Sequence, residues 1–169
     1  MKYFFFFLSL LFFFLSCKEE GNVSSSDPVN WDKRTILSIP GDSLQEGSSY
    51  LSVYSQIYSQ TEHRTHDLTA TVSMRNINKK DTVYIAKAEY FDTKGKLIRT
   101  YFNKPIYIAP LETVEIVIDE KDQAGGTGAN FLFDWVVKAG VHEPYFEGVM
   151  ISTSGSQGLS FTTKGQNIQ

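Results

Sequence analysis

The residues of this 169-residue chain that could do chemistry fall into a few groups. Gly125-Gly126-Thr127-Gly128-Ala129-Asn130-Phe131 has the glycine density of a loop whose backbone N–H groups converge on an anion. A phosphate-binding loop, however, closes on Gly-Lys-Ser/Thr, and here Ala129 and Asn130 follow Gly128. A dinucleotide fingerprint needs a helix next, and residues 131–135 read as strand. The glycines therefore read as a turn between strands. Asp119, Glu120 and Asp122 precede the turn and could offer oxygens to calcium, with Asn130 or Asp134 joining in three dimensions. The acidic order and the distal bidentate Glu of an EF-hand are missing. His63 and His66 stand three apart in a polar stretch read as a turn, and His142 or Glu143 could supply a third metal ligand. Two histidines in a polar turn are more often plain loop residues. Gly155-Ser156-Gln157-Gly158 lacks the Gly-x-Ser-x-Gly spacing of a nucleophile elbow. No catalytic constellation stands out.

The elements that must position these residues are strands. Leu68, Ala70, Val72 and Met74 alternate with Thr69, Thr71, Ser73 and Arg75, the period of a half-buried strand. Residues 76–81 break it as a turn. Residues 83–91 form the next strand, with Tyr84, Ala86, Ala88 and Tyr90 expected on one face and Val83, Ile85 and Phe91 on the other. Gly95 is placed to give a hairpin loop its positive φ, and residues 96–102 return. Residues 106–109, between Pro105 and Pro110, read as an edge segment. Val114, Ile116 and Ile118 share one face of a further strand, as do Phe131, Phe133, Trp135 and Val137. Residues 145–152 and 159–163 complete the set. Short, regularly spaced strands without a convincing helix predict an all-β fold. It is a single antiparallel β-sandwich of about seven to nine strands, immunoglobulin-like in architecture only.

Ahead of this body lie Met1-Lys2, a nearly unbroken apolar block over residues 3–15, and the lone cysteine, Cys17. The block is shorter than the ~20 residues of a membrane-crossing helix and fits a signal peptide over residues 1–16. A small residue directly before the cysteine adds lipidation of Cys17, although Phe14 stands where such sites usually carry Leu. With Cys17 lipidated, no thiol remains for a disulfide or a zinc-thiolate site. Two or more acyl chains hold lastingly, where one alone is marginal. Lys18-Glu19-Glu20 resembles an export tag of surface lipoproteins in some Gram-negative bacteria and reads equally as a charged linker. Residues 17–49 read as a lipidated tether, with Trp31 and the patch at 36–39 free to dock back onto a domain spanning 50–169.

Removing 16 of the 169 residues leaves 153, enough for one core. Seven of the 13 Phe lie in the leader, so the aromatic content overstates that core. The net charge of −3 becomes −4 without Lys2, which argues against nucleic acid as a partner.

Several ordered motifs resemble a known family. They are Val53-Tyr54-Ser55-Gln56-Ile57-Tyr58, residues 68–76, Tyr90-Phe91-Asp92 with Gly95-Lys96-Leu97, Gly125 to Phe131 with Trp135, and Gln157-Gly158-Leu159-Ser160-Phe161-Thr162. Together, over about residues 50–168, they are similar to bacterial lipoproteins and secreted proteins grouped as domain of unknown function 3124. The resemblance implies no activity. It implies that the two glycine-containing segments are the first places to look for a site.

The expectation is a lipid-anchored module of the bacterial envelope, at the outer membrane, that binds or assembles without catalysis or cofactor. Its contact loops are Gly125 to Phe131 and the segment carrying Gln157, Gly158 and Ser160. Its partner is an unknown protein or small ligand. The alternative is a metal- or small-ligand-binding protein or weak hydrolase using the carboxylates or histidines named above.

Overall fold

The computed structural model describes residues 29–153 and 158–168. Cys17, the leader and Gln157 lie outside them. The described residues form an all-β, sandwich-like fold of antiparallel sheets. Twelve strands are present rather than seven to nine: β1 (Leu44–Val53), β2 (Gln56–Ser59), β3 (Thr61–Asp67), β4 (Thr69–Arg75), β5 (Val83–Phe91), β6 (Leu97–Phe102), β7 (Ile106–Ile108), β8 (Thr113–Ile118), β9 (Ala129–Lys138), β10 (Tyr145–Ser152), β11 (Leu159–Lys164) and β12 (Gln166–Asn167). One sheet runs β12-β1-β9-β5-β6, with β7 also paired to β5; the second runs β11-β10-β4-β8; β2 and β3 form a separate hairpin.

The strands form where alternation places apolar side chains on one face. Leu68, Ala70, Val72 and Met74 are buried, as are Val114, Ile116 and Ile118. Phe131, Phe133, Trp135 and Val137 line the facing sheet. Phe133 of β9 stacks on Phe146 of β10 with centroids 4.2 Å apart, which joins the sheets through one core. Gly95, at φ 76°, turns β5 into β6 as its position requires.

In β5 the expected faces do not hold. Register shifts between Ile85 and Lys87, so Ala86 is a bulge residue. A bulge changes which parity points inward. Val83 and Ile85 before it, and Ala88 and Tyr90 after it, all reach the core.

The sandwich closes differently on its two sides. On one, the chain leaves β11 in the second sheet, bends at Gly165 and enters β12 in the first. On the other, a four-residue helix, α1 (Trp31–Arg34), capped by the Asn30 side chain, lies across the gap. Trp31 packs on Phe102 at 4.9 Å, and Arg34 Nη2 pairs with Glu112 Oε1 at 2.7 Å, in the turn that leads to β8. Trp31 thus docks back, whereas Leu37 is fully exposed. Within the stretch read as a tether, Leu44 to Ser49 pair with Lys138 to Phe133 of β9.

Candidate functional site

Both segments marked in the sequence converge on residues 53–55, where β1 leaves the first sheet. Val53 is paired with Ala129, at the start of β9. Tyr54 meets Phe161 of β11 edge to face at 5.7 Å. Ser55, fully buried, shares a 2.8 Å hydrogen bond with the Tyr90 hydroxyl.

The glycine-rich stretch is a tight 3-10 segment, Gln123–Gly128, capped by the Asp122 side chain. Gly125 lies against the Ser55–Tyr90 pair so closely that a β-carbon would overlap the Tyr90 hydroxyl and come within 2.7 Å of Ser55 Oγ. Its carbonyl accepts from both the backbone N–H and the hydroxyl of Thr93, at 3.2 and 3.0 Å. The Gly126 carbonyl accepts from Ser55 N–H at 3.2 Å. Close packing accounts for Gly125. Burial holds the Tyr90 phenol above its ordinary pKa, with the Ser55 hydrogen bond opposing it.

A polar rim fastens neighbouring elements to this segment. Asp67 of β3 accepts from Gln56 at 2.7 Å and from Gln123 at 2.9 Å, which ties the β2–β3 hairpin to the 3-10 turn. Arg99 of β6 donates to Asp122 at 3.1 Å and to the Tyr101 hydroxyl at 2.9 Å. Burial raises the pKa of Tyr101 against the opposing pull of Arg99.

The glycine-rich motif matches the family model for proteins of unknown function, DUF3124, as part of a continuous match over residues 46–168. The chain belongs to the DUF3124 family. No curated protein and no solved structure matches the chain. The match to the DUF3124 model begins within β1, two residues after its first residue.

In this DUF3124 domain the marked residues separate by role. Gly125, Ala129 and Phe131 are buried, and Phe131 stacks on Tyr90 at 4.8 Å as part of the core. Gly126, Thr127, Gly128 and Asn130 are half-buried; Gly158 and Ser160 are exposed. Of the acidic residues before the turn, Asp119 and Asp122 serve local geometry. Asp119 accepts from Lys121 N–H at 2.8 Å, and Asp122 is taken by Ala124 N–H and Arg99. His63 and His66 lie on strand β3 rather than in a turn. His63 is exposed beside Glu62, and His66 sits opposite Ile57. His142 and Glu143 lie in the loop after β9, at the far end of that strand. Among the described residues no group of three or more His, Cys, Asp or Glu is placed to hold a metal ion. Thr93, Arg99 and Asp67, which hold the 3-10 segment, carry no signal in the sequence. The motifs at residues 53–58 and 90–92 were the available signals for Ser55 and Tyr90, without any sign that the two meet.

Proposed function

We propose that this chain is a lipid-anchored protein of the bacterial envelope whose platform of loops, formed by the β2–β3 hairpin, residues 126–128 and the start of β11, binds a partner without catalysis. The observation that carries the binding role is the fastening of that platform. The β1–β2 connection, β3 and the β5–β6 loop are pinned to one 3-10 turn through the Ser55 N–H, Asp67 and Thr93. A pre-organised surface loses little freedom on docking. The hairpin presents Tyr58 at 61% exposure, the kind of aromatic that anchors interfaces. The anchoring rests on the short apolar leader and Cys17 alone.

Two experiments test the parts separately. Growth of the source bacterium with an alkynyl palmitate should label the full chain and not Cys17→Ser, which should leave the membrane fraction. A labelled or membrane-bound C17S protein ends the anchoring reading. Crosslinked envelope should yield a partner with wild type that Tyr58→Ala with Thr127→Arg no longer recovers. Equal recovery by both proteins removes the platform as the contact.

A further inference from the structure

The opposite end of β9 holds a cleft of about 550 Å³ between the two sheets, within the ~300–1,000 Å³ range of small-molecule sites. Its first wall is unusual for the inside of a sandwich. The inward positions of β1 read Gln45, Gly47, Ser49, Leu51 and Val53, so apolar side chains give way to polar ones toward this end. Asn167 of β12 continues the wall opposite Ser49. The facing wall is Tyr145 and Phe146 of β10, and the loop bearing His142 and Glu143 closes the top.

The wall is built, not merely left open. A β-carbon on Gly47 would overlap the Trp135 ring, so glycine lets that ring lie flat against β1. From there the indole Nε1–H donates to Ser49 Oγ at 3.0 Å. Ser49 is only 5% exposed. Its oxygen takes the indole hydrogen, which leaves the hydroxyl hydrogen to donate at the cleft floor. The loop above is held by Asn78, whose side chain donates to the His142 carbonyl at 2.8 Å and accepts from its N–H at 3.0 Å. Glu143 takes a hydrogen bond from Asn167 at 3.0 Å, a neutral partner that leaves the carboxylate's charge uncompensated.

We propose that this cleft binds a hydroxyl-rich ligand, the end of a saccharide chain. The donor and acceptor set decides the class. An ammonium group would suit Glu143 but cannot accept from Ser49. An anion would accept from Ser49 but meets the Glu143 carboxylate. A hydroxyl both donates and accepts, and the side-chain amides of Gln45 and Asn167 do the same. Ile77 and Val141, also in the lining, supply apolar contact for the C–H side of a sugar ring. The cleft is separated from the platform by the length of β9, so the failure of either proposal leaves the other standing.

The Trp135 indole N–H is a built-in reporter. In ¹⁵N-correlated spectra of the full chain in a detergent without a sugar headgroup, cellobiose or chitobiose should shift this signal saturably and leave the Trp31 indole unmoved. Glu143→Gln, at the rim where the fold is not at risk, should weaken that response at least tenfold. Ser49→Ala should abolish it. The proposal is overturned if neither disaccharide moves the signal, if n-butylammonium or inorganic phosphate moves it as far, or if Glu143→Gln responds like wild type.

Discussion

Gly125 and the Tyr90 hydroxyl occupy space that only one of them could fill if residue 125 had a side chain. Gly125→Ala should therefore lower stability by about 1–3 kcal/mol, the usual cost of overpacking, read as a lower urea midpoint with an unchanged slope. In a Tyr90→Phe background the struck hydroxyl is gone, and the same substitution should cost less. Equal costs in both backgrounds would show that the contact is not the reason for the glycine. Glu112 gives a pH-dependent counterpart. The hydrogen bond from Arg34 holds its carboxyl below the ordinary 4.5, with burial opposing. A depressed carboxyl pKa contributes stability above the unfolded value and loses it as pH falls through the folded one. Glu112→Gln should cost about 0.5–1 kcal/mol at pH 7 and progressively less as pH falls below 4.5, as compared by thermal unfolding across that range.

At the scale of elements, the turn between β7 and β8 carries backbone strain. Leu111 sits at φ 61° and is 66% exposed, so its side chain gains little from the core while its backbone is left-handed. That conformation costs a branched or bulky residue roughly 1–2 kcal/mol and asparagine less. Leu111→Asn should raise stability by about 0.5–1 kcal/mol, measured as a higher unfolding midpoint; a lower midpoint would mean the leucine side chain has a role in packing. The neighbouring turn shows the opposite economy. Asn76 and Asn78 are buried, yet Asn76 donates to the Asp81 and Ile108 carbonyls and accepts from Asn78. Buried polar groups satisfied this fully hold three connections in place.

For the whole molecule, the two sides of the sandwich differ in how they are closed. One is closed by the chain passing from β11 through the bend at Gly165 into β12, the other by α1 laid across it. Trp31 is the main apolar contact of that strap, half-buried on Phe102. Trp31→Ala should destabilise by about 1–3 kcal/mol, less than the 3–5 kcal/mol of a fully buried Trp. The loss should appear as one cooperative transition at a lower temperature. A second, earlier transition confined to the strap would instead show that α1 unfolds independently of the sandwich.

Periodicity alone was enough to place β4, β8, β9 and β10, because alternating apolar residues must put one face of a strand against a core. The positive φ of Gly95 and the family motifs were equally legible. Alternation is a local signal, however, and it carries no information about what stands opposite. The polar positions 45–49 resemble a tether in sequence, and only their pairing with β9 reveals them as a strand wall. Ala86 looks like one more strand residue until the register of β9 exposes the bulge. The glycines at 125–128 mark a tight turn in any reading. Their placement over Ser55 and Tyr90, residues far apart in the chain, was decided by the folded sheets, since close approach is a property of two surfaces and not of one segment.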